Sequence, residues 1–534
     1  MKITIVPVSS LEKVFSDENI NGLRPQREIM LMHGEKSGVQ FAVISDENTE
    51  AALSVGCPLP VNVGVVREVY SDKSHVGEEC VKNSAVLKNA DIGFYPDYIE
   101  NAVETLSLEK GRAVSVYCEI TGGEPGEYTL TLNVGGESSS VRVTVVNTEM
   151  SPQTLICTNW FHSDCIMSYY DIPVFSEEYW QTVEKFVRNA VRHGINMILT
   201  PMFTLALDTA VGSERPTVQL VGVTKKGYNY TFDYTNFDRW VNMCRDCGVK
   251  YFELSHLFTQ WGARHAPKII ADTSKGRRRI FGWETNSVSQ GYMSFLRQFG
   301  ESLKEHTDSL GITEICYIHC SDEPSILNIR RYRKAAAAVK EYFSAYTHID
   351  ALSEYKFYSE GLVDLPVPGE GSIDEFAGRT DPLWTYYCCG PFEDNYPNRF
   401  LFLPLIKMRI IGVLLYKYGC EGFLHWGFNF WYTQYSRRLV DPFTETTAGG
   451  NFPAGDGFIV YPGKNGEPIC SIREKSFRDG VSDYELLKLL ESKKGRDYAR
   501  NFLERHLGDI TFTSYPLDNA VFEDFRCALV KELA

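Results

Sequence analysis

Glu314-Ile-Cys-Tyr-Ile-His-Cys-Ser-Asp322-Glu323-Pro324 is a run of apolar and β-forming residues that ends in two adjacent carboxylates and a proline. Pro324 lacks an N–H and biases Glu323 toward extended backbone, so a strand is expected to stop there. Ser325 to Tyr342, centred on Ala335-Ala336-Ala337-Ala338, has high helix propensity. Strand, acidic turn and helix in this order are how a (β/α) barrel presents reactive groups at the C-terminal ends of its strands. An acidic pair before a helix can equally serve as a helix start, where negative charge faces unpaired N–H groups. The surrounding chain has to decide between the two.

Upstream, the pattern helix–Gly–strand recurs. Ile156 to Trp160 reads as a strand, with His162 and Asp164 just past its end. Ser176 is placed to cap a helix over Glu177 to Arg192, whose Trp180, Val183, Phe186, Val187 and Ala190 form one apolar stripe. After Gly194 comes the strand Asn196 to Thr200; after the helix Phe237 to Cys247 and Gly248 comes Lys250 to His256. The helix Gly291 to Ser309 leads through Gly311 into the opening stretch. This alternation is the signature of parallel β/α units. Downstream, Tyr346 to Leu352 is a weaker strand pattern, Pro382 to Cys389 a better one, and Gly422 to Trp431 the last barrel strand. Phe400 to Tyr418 reads as an apolar helix closed by Gly419. The fifth and sixth strands have no clear pattern. The stretches 203–232 and 258–290 are long loops on the face where a barrel builds its site.

Residues 1–150 consist of short alternating runs separated by Gly, Pro, Asp and Asn, which predicts an antiparallel β-sandwich acting as an accessory domain. The expected organisation is that sandwich, a (β/α)8 TIM-like catalytic barrel over 151–494, and a helical extension over 495–534 packed on the barrel.

Composition narrows the function. The 534 residues are 43% hydrophobic and 23% charged, with a net charge of −15, which argues against nucleic acid and anionic membrane surfaces as partners. No apolar run is long enough to span a membrane. The first residues lack the apolar core of an export signal, so a cytoplasmic location and reduced cysteines are expected. Cys244-Arg-Asp-Cys247 is a lone CxxC late in a helix and reads as structural.

The side chains expected at strand ends form one set: Trp160, His162 and Asp164, then His256 and Trp261, then Asp322 and Glu323. Trp384 and Tyr386 follow on a later strand, and Trp426, Asn429 and Trp431 on the last. Five of the eight tryptophans fall in this set. Aromatic faces stack on sugar rings while acids move protons, so the expectation is a carbohydrate cleft and a carbohydrate partner, with no metal and no cofactor. Neighbours on a regular strand point to opposite faces, but at a bent strand end both can face one pocket. There, burial and like charge raise one pKa. Most glycosidases use two separated carboxylates, whereas an adjacent pair suits the exception in which the substrate's own 2-acetamido group is the nucleophile.

Several segments carry a resemblance to a known family. Asp322-Glu323-Pro324, Gly422-Phe-Leu-His-Trp-Gly-Phe-Asn429, Asp456-Gly-Phe-Ile-Val-Tyr-Pro-Gly463, Ser471-Ile-Arg473, Arg478-Asp-Gly480 and Asp483-Tyr-Glu485 resemble glycoside hydrolase family 123 and the related domain of unknown function 4091. The resemblance spans nearly the whole chain and implies a β-sandwich followed by a barrel. It also implies retaining, substrate-assisted cleavage of a terminal β-linked 2-acetamido sugar of N-acetylgalactosamine type. Glu323 would be the general acid/base and Asp322 the residue that stabilises the acetamido group.

Three other readings compete. The barrel could cleave a sugar without the acetamido group, using Asp164 or Asp456 as nucleophile. It could bind carbohydrate without catalysis. His162, Asp164, His256, His265 and His319 could hold a metal, although no HxH or HExxH spacing supports this. Arg473, Arg478, Asp479, Asp483 and Glu485 are expected to pin a helix to the barrel through ion pairs rather than to touch substrate. Oligomeric state has no signature in the sequence.

Overall fold

The computed structural model describes residues 2–72, 92–391 and 395–534. The N-terminal part is two five-stranded sheets face to face. One contains Ile3–Ser9, Lys36–Ser45, Val114–Thr121, Val61–Ser71 and Gly93–Asn101 in spatial order. The other contains Glu28–His33, Glu137–Glu149, Gly126–Val134, Thr49–Gly56 and Thr105–Leu108. Alternation builds the core between them: Val39, Phe41 and Val43 from the first sheet meet Leu130, Leu132 and Val134 from the second. The expected all-antiparallel pairing has one departure. Glu137–Glu149 runs parallel to the edge strand Glu28–His33.

Eight parallel strands follow: Ile156–Asn159, Met197–Thr200, Tyr251–Leu254, Cys316–Ile318, Thr347–Ala351, Leu365–Val367, Leu383–Tyr386 and Cys420–His425. They lie in the order six, five, four, three, two, one, eight, seven. The gap between strands six and seven is narrow, because Gly369 bridges Tyr386 and the Tyr386 N–H donates to the Pro368 carbonyl at 3.0 Å. The sheet is therefore a near-barrel. Helices Glu177–Arg192, Thr235–Cys247, Gln290–Ser309 and Ile329–Tyr342 follow strands one to four, and Ile406–Tyr418 and Ile472–Lys494 follow strands seven and eight. After strands five and six only the single turns Lys356–Ser359 and Ile373–Phe376 remain. A regular (β/α)8 alternation is thus broken on that side. The sixth strand has three residues with Pro366 at its centre, too short and too irregular to show a period.

The helix ends follow the local chemistry. Ser176 accepts the Tyr179 N–H at 3.2 Å, and Gly248 closes its helix at φ 102°. Three expectations are corrected. The stretches 203–232 and 258–290 are not plain loops: each contains a hairpin, and the two join into a four-stranded sheet. Tyr230, Phe232 and Phe281 pack that sheet on Phe295 of the following helix. The helix read from Phe400 begins only at Ile406, after Pro404, and the last strand stops at His425 rather than Trp431. At Gly427 the chain leaves the barrel, passing so close to Gly457 that an added Cβ would lie 2.5 Å from its carbonyl oxygen.

The C-terminal helices Arg496–Leu507 and Asn519–Leu533 do not rest on the barrel alone. Ser9 donates to Glu523 at 2.6 Å and Thr148 to the Leu533 carbonyl at 2.7 Å. Arg526 pairs with Glu35 of the sandwich and Asp483 of the barrel. One continuous apolar cluster includes Tyr95, Ile99 and Tyr117 of the sandwich together with the barrel helices. No helix of the described residues is long and apolar enough to cross a membrane.

Candidate active site

The fourth strand ends at Ile318, and the next five residues run on as a tightly held turn. The Leu257 and Phe258 N–H groups donate to the carbonyls of His319 and Cys320, at 3.1 and 3.0 Å. The Trp261 N–H donates to the Asp322 carbonyl at 2.8 Å, and the Glu323 N–H to the Ala351 carbonyl at 3.1 Å. On the other flank, the Asp350 carboxylate accepts the Cys320 N–H at 3.0 Å and the Tyr332 hydroxyl at 2.5 Å. Glu323 takes φ 41°, not the extended backbone that Pro324 favours. This left-handed residue is what lets two neighbouring carboxylates face one cavity.

That cavity has a volume of about 210 Å³. Asp322, Glu323 and Tyr386 share its wall with Trp160, Trp261 and Trp426, and Asp208, Gln260, Gln434 and Phe452 close the other side. The Tyr386 hydroxyl donates to Glu323 Oε1 at 2.6 Å. Burial, then the adjacent Glu323, push the Asp322 carboxyl well above the usual range. Asp208 is a third carboxyl in the cavity. Burial raises it to about 6, against the pull of the Tyr435 N–H that it accepts at 2.9 Å. Asp208, Trp261 and Glu323 all have positive φ, and so does Tyr435 beside them. Such strain collects where the surrounding structure holds side chains at a site.

Beneath the floor lies a buried polar chain. Trp160 Nε1 donates to Glu253 at 2.7 Å, and Thr158 donates to the same carboxylate. His319 bridges Glu253 at 2.5 Å and Asp350 at 3.2 Å. Burial disfavours the His319 imidazolium, but the hydrogen bonds it donates to Asp350 and Glu253 outweigh it and raise the group to about 9. His256 stacks on His319 with ring centroids 4.2 Å apart, and burial and that neighbour drive its pKa down.

Six of the twelve residues singled out in the sequence line the cavity: Trp160, Trp261, Asp322, Glu323, Tyr386 and Trp426. The other six do not, each for a local reason. Trp384 lies two residues before Tyr386 on the same inward face, one layer deeper, against Gly422. His256 is under the floor. His162 turns away: its Nε2 meets the Trp426 carbonyl at 2.9 Å and its Nδ1 meets Arg215 at 3.0 Å. Asp164 forms a buried bidentate pair with Arg215 at 2.9 and 2.8 Å. Asn429 clamps the His162 backbone at 2.8 and 3.1 Å, and Trp431 packs on Tyr169 and Phe186 outside the barrel. Asp456 also stays outside the cavity. It accepts Trp426 Nε1 at 3.1 Å, and burial raises it to about 7.

Sequence reasoning missed Asp208, Gln260, Gln434 and Phe452. The long loops 203–232 and 258–290 marked the regions of Asp208 and Gln260, but nothing in the pattern marks the residue. His162, Asp164, His256, His265 and His319 do not converge on one metal site among the described residues, since the donors of Asp164 and His319 are committed to Arg215, Glu253 and Asp350.

Residues 160–490, more than half of the chain, match the family model of the glycoside hydrolase 123 catalytic domain. No curated protein matches the chain. Among solved structures, a family 123 glycoside hydrolase from Clostridium perfringens, studied for the hydrolysis of glycolipid glycans, aligns with a TM-score of 0.75 at 16% identity. It covers 100% of this chain and 97% of that chain. A GH10 xylanase with a bacterial Ig-like domain from termite gut aligns at 10% identity and a TM-score of 0.34, over 86% of this chain and 100% of that chain. At these identities the first alignment speaks for the fold alone.

Proposed function

Because the chain belongs to glycoside hydrolase family 123, we propose that it hydrolyses a terminal β-linked 2-acetamido sugar of N-acetylgalactosamine type with retention of configuration. The observation that carries this reading is the left-handed turn at Glu323, which sets Asp322 and Glu323 side by side in one aromatic-walled cavity. The cavity is smaller than the roughly 300–1,000 Å³ of pockets for drug-sized ligands, which suits one terminal ring. Glycan chains ending in such a sugar, glycolipid glycans included, are the proposed substrate class.

Before substrate binds, burial and then the neighbouring Glu323 favour the protonated form of Asp322. When the acetamido N–H donates to Asp322, that hydrogen bond favours the carboxylate, and the proton is carried by Glu323. Glu323 then protonates the glycosidic oxygen while the acetamido carbonyl oxygen attacks the anomeric carbon, and the leaving alcohol departs. Asp322 stabilises the positive charge on the cyclised group. Glu323, now a carboxylate, takes a proton from water as its oxygen attacks the same carbon, and the ring opens. Two displacements give net retention. The Tyr386 hydroxyl keeps Glu323 pointed at the leaving oxygen.

Glu323→Gln is expected to lower turnover of an aryl N-acetyl-β-galactosaminide by roughly 10²–10⁴-fold with the fold unchanged by circular dichroism. Undiminished turnover would dismiss the role of Glu323. Beyond the acid pair, the carboxylate placed to act as a covalent nucleophile is Asp208, since Asp164 is held by Arg215 and Asp456 lies outside the cavity. Aryl glycosides with a free 2-hydroxyl separate the readings, because only the Asp208 route turns them over.

A further inference from the structure

Cys388 and Cys389 line the same cavity as Glu323 and Tyr386, with their sulfurs 3.8 Å apart. Among the described cysteines Cys389 is the exposed one, and Cys388 is half-buried behind it. Their backbone is pinned: the Cys388 N–H donates to the Gly390 carbonyl at 3.0 Å, and Asn398 donates to the Cys388 carbonyl at 3.0 Å. The Cys388 thiol also lies 3.6 Å from the Gly390 oxygen. Two soft donors are thus held on one side of the chain at the mouth of a cavity.

A direct sulfur–sulfur bond fits this pair poorly. Adjacent Cα atoms across a trans peptide are about 3.8 Å apart, whereas disulfides favour about 4.4–6.8 Å. A third atom bonded to both sulfurs avoids that constraint. Soft sulfur donors select soft, thiophilic centres. We propose that Cys388 and Cys389 form a dithiol site at the cavity mouth that takes a trivalent organoarsenical, bridged by both sulfurs. In the reaction of an arsine oxide, two S–H bonds break and two As–S bonds form. The oxygen leaves as water with both protons, and arsenic keeps its oxidation state, so no oxidant is needed. The site rests on the sulfur geometry and not on the identity of the sugar. A bridged arsenic there stands beside Glu323 and blocks entry to the cavity.

The Cys388 thiol is held in its protonated form by the hydrogen bond with Cys389 and by burial. Alkylating agents that need a thiolate therefore react slowly at Cys388, whereas a chelating centre gains from the second sulfur. The test is intact mass of the full chain after phenylarsine oxide and a wash with excess glutathione. One phenylarsenic adduct is expected to survive the wash and to leave with dithiothreitol. Cys389→Ala, a change at an exposed side chain, is expected to lose the adduct; Cys57→Ala, a change at a half-buried cysteine just after the sandwich strand Thr49–Gly56, is expected to keep it. No retained adduct on the wild-type chain would overturn the proposal. So would an adduct that persists in Cys389→Ala, or one that disappears in Cys57→Ala, which would place the arsenic on the Cys57 side of the sandwich.

Discussion

The left-handed backbone at Glu323 costs on the order of 1–3 kcal/mol, and the hydrogen bonds of residues 319–323 to the 257–261 loop, Asp350 and Ala351 hold it in place. Asp350 can do this only while His319 and His348 face its carboxylate, which they hold far below the usual range against the cost of burial. The pH dependence follows from His319. Its folded pKa of about 9 lies above the ordinary 6.5, so its contribution is fully present below about pH 6.5 and is lost as pH rises through 9. Urea titrations are expected to show wild-type stability falling by on the order of 3 kcal/mol more than that of His319→Gln across that window. Parallel pH profiles would remove His319 from the account. Asp208 makes the opposite kind of prediction, on binding. Its carboxylate forms above about pH 6 and can then accept a sugar hydroxyl. Asp208→Asn is expected to raise KM by roughly tenfold or more and to flatten the change in KM near pH 6, read with an aryl glycoside. At this scale the acid pair was legible in the sequence because a strand, two acids and a proline are local. Asp208 was not, because its place depends on a left-handed turn and on Gln260, whose side chain accepts its N–H across 52 residues.

Strand lengths decide which side chains reach the cavity. On Leu383–Tyr386 the inward pair is Trp384 and Tyr386, and only the later one rises to the floor; on Cys420–His425 the inward Leu424 leads to Trp426 at the wall. The sequence showed the period of these strands but not their ends. Extending the last strand to Trp431 placed Asn429 and Trp431 in a cleft that they do not touch. Helices were easier to read, since Ser176, Gly248 and Gly419 mark their limits chemically. The helix pair Ile406–Tyr418 and Ile472–Lys494 crosses where Gly412 meets Gly480, and a Cβ on Gly412 would lie 1.8 Å from the Gly480 carbonyl oxygen. Backbone cannot yield as a side chain does. Gly412→Ala is therefore expected to cost about 3 kcal/mol, at or above the usual range for overpacking, and to lower the thermal midpoint. An unchanged midpoint would mean that the helices are free to separate.

Sandwich, barrel and C-terminal helices are joined by buried charge. Arg473 reaches out of the barrel helix to Asp97 of the sandwich with two contacts of 2.9 Å, and Tyr461 donates to the same carboxylate at 2.5 Å. Arg478 and Lys475 pair with Glu119, and Arg526 joins Glu35 to Asp483. The sequence indicated ion pairs on this helix but not that the sandwich partners of Arg473, Lys475 and Arg478 lie more than 300 residues away, because pairing within a helix is local and docking is not. Arg473→Met leaves Asp97 without its cation and is expected to cost roughly 3–5 kcal/mol in denaturant unfolding; a loss under 1 kcal/mol would show that the domains do not depend on this joint. What the assembled molecule presents at the ends of its parallel strands is a cavity with two adjacent acids. The most direct test of its use is a crystal structure of the protein with the thiazoline mimic of the cyclised N-acetylgalactosamine. The account predicts the sugar ring in the cavity, its thiazoline nitrogen on the Asp322 carboxyl and Glu323 beside the anomeric carbon. A thiazoline bound elsewhere, or bound there with Asp322 turned away from the nitrogen, would contradict it.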